Sequence, residues 1–373
     1  MQLKDFDYTV PKGLIAQYPL KRRDGCRLLV VKRDGGKIYH DKFCRILDYL
    51  PRPGCMVLND SKVIPARLWG KRENTGGRVE VLLLEKIDKR NTFHALINPL
   101  GKLKIDERII FTPLETRRQR RLTATSGGLS LTGFNGNKIS CRLVDAKNRI
   151  VRFNGDIRKH LDKIGHIPLP PYIKRQDTPL DRNYYQTVYA RNKGSVASPT
   201  AGLHFTKNLL GKIKKQGIGI AKVTLHVNYS TFKPIKETDI IKHQMYSEDY
   251  EVSAETIRAV REIKKSGGKV IAVGTTSCRV LETIAGDRNL KLLRKGLKGS
   301  TDIFIYPGYE FQLTDCLLTN FHFPKTTLFL LVCAFAGRPA CLRSGRDLVT
   351  RAYQEAIDKK YRFYSYGDAM LIL

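Results

Sequence analysis

The feature that most restricts the fold is a long stretch without helical periodicity, from about residue 59 to residue 156. Short apolar segments recur in it, and polar or glycine-rich turns separate them. The predicted strands are 63–69, 78–85, 92–97, 109–112, 121–125, 129–132 and 139–144. Many short strands without helices between them indicate an antiparallel barrel or sandwich. Trp69 lies at an otherwise apolar strand position and is predicted to belong to the core.

The residues on either side of this stretch have a different pattern, in which predicted strands alternate with predicted helices. Such alternation is typical of an α/β domain. A chain of 373 residues is also long enough to form two domains. We therefore predict an α/β fold, with a barrel-like α/β main domain formed by 1–57 and 156–373 and an antiparallel β-barrel domain inserted at 58–155.

The segment 194–205 (GSVASPTAGLHF) carries little charge and is rich in turn-forming residues. Pro199 fixes one backbone angle, Gly202 frees another and Thr200 offers a hydroxyl, so the loop can bend around a small ligand. A helix is predicted at 206–216 and a buried strand at 218–227, which places His204 and His226 at the two ends of this unit. We interpret it as the floor of an active site. The alternative is a structural loop with one histidine at a helix and the other in the core.

Polar residues also follow the ends of several other predicted strands. Including His226, they are Thr275, Thr276, Ser277, Tyr306, Pro307, Gly308, Asn320, His322 and Asp368. Ligands of α/β folds bind at the carboxyl edge of the sheet, so these groups are predicted to converge. A helix predicted at 278–285 begins just after the three hydroxyl residues, and a helix start suits a carboxylate or phosphate. Ordinary helix capping and turn formation are the alternative.

The chain carries 67 Lys and Arg against 35 Asp and Glu, a formal charge of +32. This excess predicts a polyanionic partner, with nucleic acid as the first candidate. Solvated helix faces or a generally basic proteome are the alternatives. The eight cysteines form no CxxC pair, which argues against a structural zinc or iron-sulfur site and predicts free thiols in the cytoplasm. The start of the chain does not have the pattern of a signal peptide, and the longest apolar run, 328–337, is too short to span a membrane.

Eight segments together carry a resemblance to a known family. They are 58–68 (LNDSKVIPARL), 165–173 (GHIPLPPYI), 185–190 (YQTVYA), 198–205 (SPTAGLHF), 270–277 (VIAVGTTS), 301–308 (TDIFIYPG), 318–324 (LTNFHFP) and 361–369 (YRFYSYGDA). In this order, and over essentially the whole chain, they resemble the S-adenosylmethionine:tRNA ribosyltransferase-isomerases of queuosine biosynthesis.

The resemblance implies an enzyme that transfers and isomerises the ribosyl part of S-adenosylmethionine onto 7-aminomethyl-7-deazaguanine at the tRNA wobble position. The expected products are epoxyqueuosine-tRNA, adenine and methionine. S-adenosylmethionine is then a cosubstrate, and no metal is implied. The expected partner is the tRNA anticodon stem-loop that carries this base, with no membrane contact, and the protein is expected to be a cytoplasmic monomer.

The same resemblance, taken with the strand-end pattern, suggests roles for individual residues. His204, His226 and His322 are the acid/base candidates, and their order is left open. S-adenosylmethionine is predicted to contact Thr200, Gly202, Thr275, Thr276, Ser277 and Asp302. The residues predicted to bind the substrate are Asp60, Arg67, Tyr306, Pro307, Gly308, Asn320 and Asp368. Asp60 or Asp302 is predicted to face the sulfonium or the aminomethyl ammonium, and Arg67 to contact tRNA phosphate or the ligand carboxylate.

The chain departs from the family pattern at two places. Where the family has Gly-any-Gly-Thr-Phe, this chain has Asn228-Tyr229-Ser230-Thr231-Phe232, and Tyr246 stands where a histidine is usual. Bulk in place of two glycines predicts weaker S-adenosylmethionine binding or a reshaped pocket. A catalytically weakened tRNA-binding relative is therefore one alternative. The other is an RNA methyltransferase, against which the missing G-x-G strand-turn-helix signal argues.

Overall fold

The structure is a computed structural model that describes residues 1–88, 90–112, 138–228, 234–286, 295–338 and 341–373. The chain forms two compact units. The main unit comprises Met1–Lys62, Pro170–Gln176 and Asn183–Leu373, and the barrel unit comprises Val63–Leu169 and Asp177–Arg182. The predicted strands at 121–125 and 129–132, like Tyr229 and Ser230, lie outside the described residues. The predicted insertion, 58–155, shares residues 63–155 with the barrel unit.

The described strands are numbered in chain order. They are β1 (Arg27–Val31), β2 (Ile38–Lys42), β3 (Gly54–Asn59), β4 (Ser61–Val63), β5 (Arg67–Arg72), β6 (Arg78–Lys86), β7 (Thr92–Asn98), β8 (Arg108–Phe111), β9 (Ser140–Asp145), β10 (Ile150–Phe153), β11 (Gly165–His166), β12 (Asn192–Ser195), β13 (Gly219–Leu225), β14 (Glu248–Val252), β15 (Lys269–Val273), β16 (Leu297–Thr301), β17 (Cys316–Asn320) and β18 (Ala369–Ile372).

The described α-helices are mostly in the second half of the chain. They are α1 (Leu161–Ile164), α2 (Asp181–Tyr184), α3 (Lys207–Lys215), α4 (Ala254–Lys265), α5 (Thr275–Ala285), α6 (Thr327–Ala336) and α7 (Leu342–Asp358). Short 3₁₀ helices cover Leu3–Phe6, Lys12–Leu14, Arg23–Gly25, Asp34–Gly36, Phe43–Asp48, Leu100–Lys102, Ile157–Lys159, Thr200–His204 and Ile240–Lys242.

The main unit is built on a mixed sheet with the order β16-β14-β13-β3-β15-β17-β18-β1-β2 in the described part of the chain. The four strands β13, β3, β15 and β17 are parallel neighbours. β3 and β17 are buried along their whole length, because their near-continuous apolar sequence packs on both faces. Each large apolar side chain so buried stabilises the fold by roughly 1.5–3 kcal/mol. The α/β prediction is confirmed.

Helix α3 shows how local sequence sets the elements of this unit. Thr206 caps it by accepting a hydrogen bond from the Leu209 backbone N–H, as expected of a threonine at that position. Leu209 and Ile213, four residues apart, are buried on one face, and lysines occupy the other. Gly217, with φ of +78°, follows the helix in the left-handed conformation that favours glycine. The helix predicted before Gly217 and the strand predicted after it are both present.

The barrel unit contains a closed antiparallel barrel. Its strands pair in the order β5-β6-β7-β10-β9-β8, and β8 pairs with β5 to close the ring. Gly70 of β5 lies where this closure is tight, because a Cβ there would lie 2.6 Å from Ile109 Cγ2. The predicted inserted antiparallel barrel is confirmed. The prediction that Trp69 belongs to the core is wrong. Its side chain is 42% exposed, because it lies on the outer side of β5 between inward-facing Leu68 and Gly70.

Other local predictions were also wrong. Tyr306 was predicted to follow the end of a strand, but no strand covers 302–306; β16 ends at Thr301, where its pairing with β14 stops. Helix α5 begins at Thr275, so the three hydroxyl residues form its first turn and do not precede it. β2, β10, β14 and β18 were not predicted, because three of them mix charged with apolar residues and β18 follows a glycine-aspartate pair that resembles a turn.

Candidate active site

One edge of the main sheet collects polar side chains from six strands. β13, β3, β15 and β17 run parallel, so their carboxyl ends meet there. β18 is antiparallel to β17 and β1 is parallel to β18, so these two strands bring their amino ends to the same edge. Asp368 was predicted to follow a strand, but it precedes β18. It reaches this edge because β18 runs in the opposite direction.

His204 ends the 3₁₀ helix Thr200–His204 and is buried below this edge. Its Nδ1 lies 3.2 Å from Cys26 Sγ, and its Nε2 lies 3.1 Å from Asn320 Nδ2. Burial lowers the pKa of His204 to about 3, and the charges of Arg362 and Arg23 act in the same direction. His204 is therefore neutral near pH 7, and both of its ring nitrogens are bonded within the protein.

His226 follows β13 and has a different environment. Its backbone N–H donates to the carbonyl of Asp249, and its ring packs against Gly194, where a Cβ would lie 2.9 Å from the imidazole Cε1. Its Nδ1 is buried and has no hydrogen-bond partner in the described part of the chain. Burial lowers the pKa of His226, and the carboxylates of Asp249 and Asp60 oppose that shift. A neutral imidazole with an unused nitrogen can accept a proton.

Asp60 follows β3 and is 5% exposed. One of its carboxylate oxygens, Oδ1, accepts hydrogen bonds from Thr224 Oγ1 at 2.7 Å and from Asn192 Nδ2 at 3.1 Å. Its backbone carbonyl also accepts from the Arg191 N–H. The carboxylate is therefore held in one orientation close to His226, where a negative charge suits a cationic ligand group.

The start of α5 lies beside the Thr200–His204 helix. Gly274, with φ of +88°, turns the chain between β15 and α5, and a Cβ there would lie 3.6 Å from Ala201 Cβ. Thr276 and Ser277 are buried in the first helical turn, and neither side-chain hydroxyl has a partner among the described residues. Two unpartnered hydroxyls at a helix amino terminus form a place that suits an anionic group.

Tyr189, which was not among the predicted site residues, lies close to Gly202. A Cβ on Gly202 would lie 2.0 Å from the Tyr189 hydroxyl oxygen, so only glycine permits this approach. The Tyr189 hydroxyl is buried and has no partner in the described ranges. The sequence signal for Tyr189 was its place in the segment 185–190. Cys26 gave no such signal, because its contact with His204 spans 178 residues.

A small cavity opens on the same edge of the main unit. Its lining includes Thr200, Asn320, His322, Tyr364 and Ser365. His322 Nε2 lies 2.7 Å from Thr319 Oγ1, and burial lowers the pKa of His322 to about 3. Three of the predicted site residues, Thr200, Asn320 and His322, thus share one cavity.

Other predicted residues have different surroundings. Asp368 is buried, and its carboxylate accepts hydrogen bonds from Arg27 and from the Arg362 backbone N–H. Asp302 is exposed just after β16. Arg67 belongs to the barrel unit, where its Nε lies 2.8 Å from Glu80 Oε1 and its Nη2 donates to the carbonyl of Leu169.

The turn at Tyr306, Pro307 and Gly308 begins a loop whose far end is held by a buried carboxylate. Tyr306 accepts the backbone hydrogen bond of Tyr309, and Gly308 has φ of +103°. The Glu282 carboxylate of α5 accepts the backbone N–H groups of the residues that follow this turn, Gln312, Leu313 and Thr314. Helix α5 therefore fixes the end of the loop that leads to β17.

In the described ranges, no three His, Cys, Asp or Glu side chains are placed to hold a metal ion. Within the same ranges, no helix has both the length and the apolar character needed to cross a membrane. The cysteines form no disulfide in the described structure, and Cys341 is exposed.

The architecture defines an α/β protein with an inserted antiparallel barrel and a candidate ligand site at one edge of the main sheet. The family described as queuosine biosynthesis protein matches residues 3–372, and the chain belongs to this family. The S-adenosylmethionine:tRNA ribosyltransferase-isomerases of Sulfurihydrogenibium sp. and Halothermothrix orenii are each 46% identical to it over the full length of both chains. The crystal structure of S-adenosylmethionine tRNA ribosyltransferase from Thermotoga maritima is 34% identical, with a TM-score of 0.53, and the match covers 99% of this chain and all of that one.

Proposed function

We propose that this protein is an S-adenosylmethionine:tRNA ribosyltransferase-isomerase of queuosine biosynthesis. It transfers and isomerises the ribosyl part of S-adenosylmethionine onto 7-aminomethyl-7-deazaguanine at the tRNA wobble position. The products are epoxyqueuosine-tRNA, adenine and methionine. Full-length similarity to proteins that carry this activity in their names supports the proposal.

One structural observation carries the assignment to a site. Buried polar atoms that have no partner in the described ranges occur together along the carboxyl edge of the main sheet: His226 Nδ1, Ser198 Oγ, Thr276 Oγ1, Ser277 Oγ and Asn320 Oδ1. Buried polar groups in folded proteins are almost always hydrogen-bonded, so a cluster of exceptions indicates where a ligand supplies the partners. S-adenosylmethionine has a carboxylate, an ammonium, ribose hydroxyls and an adenine that can do so.

The chemistry requires a base that removes a proton next to the sulfonium and a group that assists the departure of adenine. His226 is proposed as the base, because it is the site histidine with an unused, buried nitrogen and a lowered pKa. The Asp60 carboxylate is proposed to stabilise the sulfonium or the aminomethyl ammonium. Thr276 and Ser277, with the amides of the α5 start, are proposed to bind the methionine carboxylate.

The roles proposed for the other predicted site residues rest on the contacts that each of them makes. Thr200 and His322 are proposed to line the ligand cavity, and Gly202 to give room to Tyr189. Arg67 and Asp368, which have internal partners, are proposed to act through the local structure that they stabilise. Tyr306, Pro307 and Gly308 are proposed to offer a surface to the unpaired bases of an anticodon loop. Asp302, which is exposed just after β16, is proposed to contact the ligand.

The basic surface is proposed to bind tRNA by releasing counterions from its phosphates. Precursor tRNA binding should therefore weaken steeply as salt rises, and a flat response up to moderate salt would contradict this electrostatic account. The enzyme is further proposed to work as a monomer in the cytoplasm, with the anticodon stem-loop as its tRNA contact and without a metal.

The test is mass analysis of precursor tRNA after incubation with the protein and S-adenosylmethionine, with adenine release measured in parallel. The expected result is a product with the mass of epoxyqueuosine and one adenine per turnover. Thr276→Val should raise the KM for S-adenosylmethionine about tenfold, because it removes one hydrogen bond to a charged group. The control is Thr283, two turns further along α5, whose hydroxyl bonds to Arg279 and Thr301. Thr283→Val should leave this KM unchanged. A methylated product, or none, would contradict the proposal.

A further inference from the structure

Asn320 is the last residue of β17 and is 2% exposed. Its side-chain nitrogen Nδ2 lies 3.1 Å from His204 Nε2, and 3.4 Å from each of the backbone carbonyl oxygens of Tyr364 and Asp368. Its side-chain oxygen Oδ1 is buried and has no partner in the part of the chain that the structure describes. One end of this amide is therefore fully used by the protein, and the other end is an unused acceptor.

The orientation of the amide follows from its neighbours. Backbone carbonyl oxygens only accept hydrogen bonds, so the end of Asn320 that faces Tyr364 and Asp368 must be the donating NH₂ group. The same NH₂ group faces His204 Nε2, which must then be the unprotonated, accepting nitrogen. The imidazole proton consequently lies on Nδ1 and is donated to Cys26 Sγ. Cys26, His204 and Asn320 form one directed chain of hydrogen bonds.

The end of this chain lies at the ligand cavity. Asn320 lines that cavity together with Thr200 and His322, and the rings of Phe323 and Tyr364 stack beside it with centroids 3.7 Å apart. His322 is already bonded to Thr319 through Nε2. An acceptor without charge, at the wall of a cavity rich in aromatic rings, is suited to an N–H donor on a bound ligand.

We infer that Asn320 Oδ1 accepts a hydrogen bond from an amino group of a substrate, and that His204 and Cys26 are positioning residues that hold it for this purpose. The inference rests on the proposed function, because both proposed substrates offer such a group: S-adenosylmethionine on its adenine and its methionine part, and the precursor tRNA on its aminomethyl base. His204 transfers no proton in this account, since both of its nitrogens are occupied.

The first experiment measures S-adenosylmethionine binding by calorimetry and precursor tRNA binding by filter retention, for the wild type and Asn320→Leu. If the amino group belongs to S-adenosylmethionine, its Kd rises about tenfold and the tRNA Kd stays the same; if it belongs to the tRNA base, the pattern is reversed. Asn320→Asp keeps an acceptor at Oδ1 and should bind the ligand that supplies the amino group more tightly than Asn320→Leu does. Unchanged Kd values for both ligands in Asn320→Leu would overturn the inference.

The second experiment tests the chain behind Asn320, and it remains informative if Asn320→Leu does not fold. Cys26→Ala removes the acceptor of the His204 N–H and should raise the same Kd about threefold. Cys26→Ser supplies a hydroxyl that accepts this N–H and should restore the Kd to within about twofold of the wild type. Cys316→Ala is the matched control, because Cys316 is a buried thiol of the same core cluster and lies at the opposite end of β17 from Asn320. Equal effects of Cys26→Ala and Cys316→Ala would reduce Cys26 to a packing role.

These measurements separate the two claims. Binding requires no turnover, so a wild-type protein that binds both ligands without forming modified tRNA would refute the proposed function and still leave the Asn320 comparison to decide the inference. A wild-type protein that binds neither ligand would refute both claims.

Discussion

The candidate site has two sides, each containing a histidine, and they differ in how their hydrogen bonds are used. On the His204 side, both ring nitrogens are bonded, to Cys26 and Asn320, and the pKa is lowered to about 3. On the His226 side, Nδ1 has no partner among the described residues, and Asp60 and Asp249 oppose the effect of burial. The two histidines therefore differ in that His204 has no unused ring nitrogen and His226 keeps one that lacks a partner in the described structure.

A glycine allows close packing on each of the two sides. The absent side chain of Gly202 lets the Tyr189 hydroxyl approach the helix that ends in His204. The absent side chain of Gly194 leaves room for the ring of His226, and its φ of +148° is unfavourable for other residues. Backbone and side chain are therefore packed closely on both sides, but of these two rings it is that of His226 that keeps a nitrogen without a partner among the described residues.

The largest expected effect is on the His226 side. His226→Gln should lower kcat by about 10²–10⁴-fold, the usual contribution of a general base. Because burial lowers the pKa of His226, the wild-type kcat/KM should hold below pH 6.5 and fall only when His226 becomes protonated at lower pH. His94→Gln makes the same change in barrel strand β7, and its kcat should equal that of the wild type. A His226→Gln enzyme with normal kcat would remove the functional contrast between the two histidines.

A second effect concerns the support of the His226 side. Glu248 accepts the backbone N–H of Asn228, and it forms a buried ion pair with Arg279 of α5. Arg279→Leu leaves that carboxylate buried without its cation and should lower the free energy of unfolding by about 3–5 kcal/mol. Urea denaturation measures this change.

Arg258→Leu serves as the comparison for that measurement. Arg258 pairs with Glu255 on the exposed face of α4, and its loss should cost no more than about 1 kcal/mol. Similar losses in the two variants would show that the buried pair gives the His226 side no special support.

The smallest expected effect belongs to the His204 side and depends on pH. His204 has a folded pKa of about 3, and an unfolded histidine has a pKa near 6.5, so between these values the unfolded state binds more protons. The contribution of neutral, buried His204 to the free energy of unfolding is complete above about pH 6.5. It is lost as pH falls toward 3, by up to about 1.4 kcal/mol per pH unit. His204→Gln should flatten this dependence in urea denaturation at pH 6.5, 5.5 and 4.5. An unchanged slope would mean that His204 is not buried in its neutral form.

The local sequence was sufficient for much of the fold. The short strands after residue 59 predicted the antiparallel barrel, and the alternation of strands and helices outside it predicted the α/β unit, because each signal is a periodicity within a few residues. The prediction failed where pairing partners decide the structure. Residues 302–306 are apolar enough for a strand but pair with no neighbour, and Trp69 is on the outer side of β5 because alternation along the strand fixes its direction.

The sequence by itself determined which residue types meet at the site: two histidines on one loop-helix-strand unit, and hydroxyl and amide groups at strand ends. Only the tertiary structure decided what each of them contacts. His204 is bonded to residues 178 and 116 positions away, and β18 reverses direction to bring Asp368 to the site edge. Hydrogen bonds between residues far apart in the sequence depend on neighbours in space, and periodicity along the chain does not specify those neighbours.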